Sequence, residues 1–592
     1  MDEERTWDLS VLLKDTSIEG LTKNLEESLA EIQAILDKLQ SGKKKMSATR
    51  FVKHLREYEE ALEGGYTIAG YSYCKYVSDT TAEGSQAYAS VSSRCFNEGE
   101  RLRRSLLQIL GNVLLENPSI VETQEFENYR YLLEKASKNL PHILSPIEEA
   151  LVAEKDTNGI SAISELYQSW VGSQILDVEI GGKKKSLSMN EAFSLLMAEE
   201  RETRKIVSEA YFGSFAKDKL LHGTALRAIC SDHVNMTKRR KWSSFMTQSL
   251  IDQDVDEGTI SALLATLETR STSLQKYIHL KAEYFGQERL LEYDLRAPWV
   301  SKPVWNMDWT EVKSSVRKAY QEFDDEIGNF VNGLFQKRQI DSEKKPGRAN
   351  TAFCFPFFER KTSFVFVTYT GSLNDAYIVA HELGHAVHSY FTDTHQSMLN
   401  TEYSSCLAET SSIFGELLFT EQLMKECDND DLRLEILAKV LDRFYQWSFH
   451  IGSYALFEKD LYEFIGAGGF LDTDKACEIW RNNRHKIYGD TVEWSENLDY
   501  DWARWGQFFR PNYRFYNYSY SFAQLLVFAL YKDYKKSKSD FNDRFKRLLS
   551  RGSIMSPRDQ IAELGFDITK PDFWNRGIKQ AESFLDDLKK LL

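Results

Sequence analysis

Cysteine is sparse and unpatterned in this chain of 592 residues: seven, at 74, 95, 230, 354, 406, 427 and 477, with no CxxC spacing. An odd, scattered set fits reduced thiols and speaks against a disulfide framework or a cysteine-ligated metal. Long apolar runs are also missing. Stretches such as Leu525–Leu530 fall far short of the roughly 20 residues that span a bilayer. The opening residues, Met1 to Trp7, are charged and lack the apolar core of a signal peptide, so a cytoplasmic protein without a membrane partner is expected. Basic residues are outnumbered, 74 against 89 acidic, and the net charge of −15 argues against nucleic acid as a partner. There is no internal repeat and no low-complexity tail. What remains is a globular composition, 42% hydrophobic and 28% charged, long enough for several cores or one multi-lobed domain.

Most of the text is helical. Leu21, Leu25, Leu29, Ile32, Ile35 and Leu36 recur at helical spacing, Ser47 is a candidate cap for the next helix, and the pattern continues to about Ala136. Residues 1–115 are read as an N-terminal helical lobe and 116–592 as the region that carries the chemistry. Between Gln174 and Leu187 the period changes to two, with Gly181-Gly182 as the turn, which predicts a hairpin whose lysines 183–185 form a solvated edge. A second non-helical block covers residues 345–370. Its loop holds Gly347, and Val365–Tyr369 reads as a strand, either a core strand or an exposed edge able to pair with an extended peptide.

Directly after that strand comes His381-Glu382-Leu-Gly-His385. On a helix predicted over about 373–391, residues four apart share a face, so both rings can bind one tetrahedral Zn²⁺ at about 2.0–2.1 Å. Glu382 follows the first ring, where a carboxylate can reach water beside the metal without binding the metal itself. Ser372 or Asn374 can cap the helix. Gly384 costs about 1 kcal/mol in a helix interior and suggests close approach of a second helix or of substrate. A third ligand is needed. Glu409 lies 28 residues beyond His381, on a helix predicted over about 404–425, with Glu416 two turns later on the same face. Glu402 is a competitor. Asp375 and Glu416 are candidates to orient a histidine through its distal N–H. His388 shares the ligand face but is read as a supporting histidine, and His395, His450 and His485 are assigned no chemistry.

Near the C-terminus, residues 507–522 hold Gln507, Tyr513, Tyr516, Tyr518 and Tyr520. On composition alone these tyrosines are aromatic packing or hydroxyl donors aimed into a cleft.

The block His381-Glu-Leu-Gly-His385-Ala-Val-His388, with Glu409 inside Leu-Ala-Glu-Thr-Ser-Ser-Ile-Phe-Gly-Glu, resembles the oligoendopeptidase F branch of the thimet-type metallopeptidases. The likeness extends to Trp7-Asp8-Leu9-Ser10, Leu140–Ser145 and Phe515–Tyr518, and so spans nearly the whole chain. It implies a mainly α, two-lobed zincin-type peptidase with a deep central channel and a small β-sheet beside the active-site helix. It also implies His381, His385 and Glu409 as ligands of one Zn²⁺, and Glu382 as the catalytic base. Tyr516 and Tyr520 become catalytic hydroxyl donors, and Gly347, Tyr513 and Gln507 contact substrate. Relatives usually carry a histidine where this chain has Gln507, which cannot take a positive charge near neutral pH. The expected activity is zinc-dependent hydrolysis of internal bonds in short unstructured oligopeptides, by a monomer or small homo-oligomer. The alternatives are a carboxypeptidase or dipeptidase of the same family, or a catalytically weak peptide-binding protein.

Overall fold

Leucines and isoleucines at helical spacing become the inner stripe of the helix Ile18–Gly42, where Leu21, Leu25, Ile32, Ile35, Leu36 and Leu39 are all buried. Ser47 does cap the next helix, Ala48–Ser78, accepting from the Arg50 amide, and Ser85–Glu116 completes an N-terminal set of three. The computed structural model describes residues 5–42, 46–300, 302, 304–511 and 513–592. Among these the architecture is mainly α, and no helix is long and apolar enough to cross a membrane.

The chain divides into two compact units, each assembled from separated segments. The first comprises Met1–Pro141, Trp305–Glu426 and Asp533–Phe566; the second His142–Val304, Cys427–Lys532 and Asp567–Leu592. The expected boundary at 115/116 is therefore corrected: it coincides with the end of the helix Ser85–Glu116 and lies inside the first unit. A boundary read along the sequence misses units closed by contacts between distant segments.

In the first unit the opening segment packs against a small sheet. Trp7 lies 5.4 Å from Phe366 and 6.1 Å from Phe364, ring centre to ring centre. The sheet has Thr362–Phe366 at its centre, parallel to Ile340–Asp341 on one side and antiparallel to Phe353–Phe357 on the other. The strand that feeds the HExxH helix thus has a partner on both sides, and the edge reading fails for it. Ser363 to Phe366 are all buried, as a central strand requires. Beside it Arg348 is clamped, bonding Asp341 at 2.5 Å and the Val367 carbonyl at 2.7 Å while lying 4.0 Å from the Phe366 ring centre.

The second unit holds the expected hairpin, Ile175–Ile180 with Lys183–Ser188, turned by Gly181 and Gly182 at φ of +58° and +73°. Two positive φ values in a two-residue turn match the right-handed twist of the flanking strands. Elsewhere in this unit Trp480, Trp502 and Trp574 are fully buried.

Candidate active site

The helix that carries the histidines runs Leu373–His395, and its start is built by local chemistry. Gly371 takes φ +105°. The Ser372 hydroxyl accepts from the Asp375 amide at 3.1 Å, and the Asp375 carboxylate accepts from the Thr370 amide at 2.8 Å and the Thr370 hydroxyl at 2.6 Å. A carboxylate there also complements the helix dipole. Asp375 is thereby engaged at the helix start, with no histidine among its bonds.

Four residues apart, the His381 and His385 rings lie 4.9 Å centre to centre and nearly perpendicular. The second acidic segment is not one helix as expected. It breaks at Glu409, between a single turn Ser405–Ala408 and the long helix Thr410–Glu426. Ser404 caps the short turn by accepting from the Cys406 amide, and the break leaves Glu409 at the corner. There its Oε2 approaches His381 Nε2 at 3.2 Å and His385 Nε2 at 3.5 Å, while accepting from the Ser412 hydroxyl at 2.7 Å. The three donor atoms all lie within 4.8 Å of one another, close enough to share one metal ion. Glu416 Oε1 is 2.7 Å from His381 Nδ1, so that nitrogen donates its hydrogen and the Nε2 lone pair is left for a cation. Glu402 is elsewhere, paired with Arg103 at 2.5 Å.

Gly384 explains how the two helices come so close. A Cβ built there would collide with the backbone of Ser411 and Ser412. The approach inferred from sequence is that of the second helix. His388 is buried and stacks on Tyr403 at 3.9 Å with 1° between the rings. It braces the stretch that leads into Glu409.

The electrostatics follow from burial and from the crowding of carboxylates. Burial opposes charge on His381, yet the Glu409 and Glu416 carboxylates on either side of the ring prevail and hold it up to about 10, so a cation at Nε2 binds in competition with a proton there. His385 lacks the Glu416 bond, and burial pushes it down to about 4. Burial also works against charge on Glu409, but the bond from His381 and the nearby His385 keep it well below the usual carboxylate range. Glu382 is 7% exposed, and desolvation, reinforced by Glu409 and Glu416, lifts it to about 7. This arrangement offers a cation three ligands and sets a protonatable carboxyl beside them.

Comparison with known proteins decides the family. The sequence pattern of peptidase family M3 matches residues 194–580, and that of oligopeptidase F matches residues 119–173. The chain belongs to peptidase family M3. It is 24% identical to an oligoendopeptidase F homolog of Borreliella burgdorferi, over 100% of this chain and 99% of the relative. Oligopeptidase PepF of Bacillus subtilis is 26% identical over 80% of this chain and 70% of its own length. Oligoendopeptidase-F of Enterococcus faecium superposes with a TM-score of 0.69 at 20% identity, covering 96% and 99% of the two chains. A Chlamydophila abortus protein superposes at 0.87 with 19% identity, covering 100% and 99%. At these identities the superpositions speak for the fold alone. The M3 peptidase is therefore an oligopeptidase of the oligoendopeptidase F type, a class that uses a metal cofactor.

In the second unit of the peptidase the tyrosines divide. Tyr518 is buried and bonds the Ser249 hydroxyl at 2.8 Å, so it is packing. Tyr513, Tyr516 and Tyr520 are partly exposed and form a row with ring centres 5.0 and 5.5 Å apart. The Gln507 amide donates to the Tyr520 hydroxyl at 3.3 Å, and Trp447 lies 5.1 Å from the Tyr520 ring. Gly347, in the first unit, is a structural turn: at φ +83° its carbonyl accepts from the Thr80 amide at 2.7 Å.

Two parts of this arrangement escaped the sequence reading. Glu458, 1% exposed, accepts from the Phe515 amide at 2.8 Å and the Asn517 side chain at 3.1 Å, fixing Phe515 at φ +53°. Its signal was an acidic residue among Leu456, Phe457 and Leu461 in apolar helical text. Trp447 sits in a π-helical turn, Gln446–His450, a feature with no sequence marker.

Proposed function

We propose that this M3 peptidase is a zinc-dependent endopeptidase that cuts internal bonds of short, unstructured oligopeptides. The observation that carries the reading is the convergence of His381, His385 and Glu409 beside the buried Glu382. Two imidazole nitrogens and one carboxylate oxygen are a donor set suited to a catalytic zinc with one position open. Preference for internal bonds follows the relatives, which are named oligoendopeptidase F.

When bound, the ion supplies Lewis acidity to the scissile carbonyl and to water. The chain's own residues do the rest. Glu416 holds the His381 ring in its tautomer, and Ser412 holds Glu409. Glu382 accepts a proton from the attacking water and returns it to the departing amine nitrogen, so the carboxyl ends as it began. Tyr516 and Tyr520 are assigned as hydroxyl donors to the substrate, with Tyr513 and Gln507 as contacts. All seven cysteines are unpaired thiols, consistent with work in a reducing compartment such as the cytoplasm.

Mass spectrometry of a mixed peptide pool, incubated with and without a chelator, tests this reading. Internal cleavage of short peptides that stops with the chelator and returns with zinc is expected. Stepwise loss of terminal residues would assign an exopeptidase instead, and intact peptides under both conditions would leave a binding protein.

A further inference from the structure

In the first unit the core built by the N-terminal helices does not close on itself. Leu29, Leu62, Leu107, Leu132 and Leu399 pack against that core yet stay only partly buried. All five line one cavity of about 280 Å³. The helices Ile18–Gly42, Ala48–Ser78 and Ser85–Glu116 each contribute to its wall, as do Met398 and Glu402 from the stretch after the HExxH helix. Gly99, in the middle of Ser85–Glu116, is on the wall too, and a Cβ built there would meet no atom within 4 Å. Glycine is unfavourable in a helix interior. At Gly384 the close approach of backbone accounts for it, whereas beside Gly99 the room is left open.

The polar groups on the wall are engaged with the chain itself. The Ser28 hydroxyl donates to the Ala61 carbonyl at 2.6 Å, and the Cys95 thiol donates to the Gly65 carbonyl at 3.3 Å. Arg103 pairs with Glu402 at 2.5 Å and approaches Glu100 at 3.6 Å, while Glu100 also accepts from Arg104 at 2.9 Å. Two guanidiniums thus meet two carboxylates, and the rim favours an ion of neither sign. Tyr66 and Phe96, each 37% exposed, stand edge to face 5.9 Å apart and add aromatic surface. Water gains little in such a space, because it needs about two to four polar partners and those present are already bonded. At about 30 Å³ for a water-sized atom, the volume holds about nine non-hydrogen atoms. That is one substituted ring, and too little for a long acyl chain. Apolar walls with few polar groups are the composition of ligand pockets, and the size is at the small end of their range of about 300–1,000 Å³.

We propose that this cavity is a binding site for one uncharged, apolar small molecule, a single aromatic ring or a short branched chain.

The test uses the full chain with its metal and three probes that share one ring: bromobenzene, 4-bromobenzoate and 4-bromobenzylamine. Crystals exposed to bromobenzene should show an anomalous bromine peak within this cavity, and crystals soaked in either ion should show none. In solution bromobenzene should bind with a Kd of about 0.1–1 mM, from the area that a buried ring removes from water. Near saturation it should raise the melting temperature by about 1–2 °C. Gly99→Leu, which puts a side chain into the open room, should lose both the peak and the rise. Gly99→Ala adds one methyl where nothing stands and should keep both. Leu107→Phe is a second blocking variant should Gly99→Leu fold poorly. None of these measurements uses hydrolysis, so they stand apart from the reading of the active site. No bromine in the cavity, or a rise that is equal in the parent and the blocking variants, overturns the site. A peak from either ion as strong as that from bromobenzene overturns the ligand class.

Discussion

In the first unit, His381, His385, Glu409 and Glu416 stand on or beside two helices that meet backbone to backbone at Gly384, and each finds a partner within the group. In the second, Gln507 stands in a 3-10 turn, Gly506–Phe509, Tyr513 and Tyr516 on irregular chain, and Tyr520 on the first turn of the helix Tyr518–Tyr534. The shape of that chain is held by a buried carboxylate, Glu458, from another helix. Helices place side chains reproducibly and suit metal ligands, which tolerate little displacement. A tethered segment suits donors that adapt to different peptides. The first region should therefore fail abruptly when one group is removed, and the second by degrees.

The largest effect is expected at Glu382. Glu382→Gln should keep about one zinc per chain while turnover falls by about 10²–10⁴-fold or more, since the amide cannot take the proton. Metal analysis beside a peptide assay checks both halves, and appreciable turnover in the purified variant would remove Glu382 from its role. Next come the tyrosines. Tyr516→Phe and Tyr520→Phe delete only a hydroxyl, and at least one should cost up to about 10²–10³ in turnover if it supports the oxyanion. Zinc content should not change in either. Were both to match the parent, the row would be packing and the contrast between the units would collapse.

A smaller step separates Glu416 from Glu402. Glu416→Ala frees the His381 ring and should weaken zinc binding by about 10–100-fold. Glu402→Ala should leave zinc binding unchanged, because that carboxylate is bonded to Arg103. Zinc titration of the two variants gives the comparison directly; equal losses would mean that the ring of His381 is oriented by something other than Glu416.

These groups were not equally legible in the sequence. The i, i+4 histidines, the glycine between them and the two-glycine hairpin turn each depend on geometry repeated every few residues, and local text shows them. The break at Glu409 depends on one capping serine, and a helical pattern of apolar residues runs straight through it. Asp375 was ambiguous because one carboxylate serves equally as a cap or as a histidine partner, and only the position of Thr370 decides. The central place of Thr362–Phe366 in its sheet comes from pairing with Ile340–Asp341, which lies before the intervening loop. Glu458 meets Phe515 across 57 residues, a separation that no local rule reaches.

The smallest expected effect concerns a histidine that the second unit buries without a partner. His222 is 0% exposed and neither ring nitrogen has a hydrogen bond among the described residues. Trp170 stands edge-on at 4.4 Å, with Phe215 at 5.4 Å and Tyr167 at 6.0 Å. Burial in this aromatic box pushes the ring down to about 4, with Asp218 opposing. The unfolded chain should titrate near 6.5. Between those values the unfolded state binds the extra proton, so stability falls as the pH drops from about 6.5 to about 4 and is level above. At pH 5.5 this one group should remove about 1.4 kcal/mol relative to pH 7.5. Other buried histidines add to the loss, so the contribution is isolated by the His222→Phe variant, whose ring the box can hold. Urea unfolding at pH 7.5 and 5.5 should show the parent losing about 1.4 kcal/mol more than the variant. Identical losses in the two proteins would mean that His222 is hydrogen-bonded or solvated in the folded state, and that the second unit does not hold this ring dry.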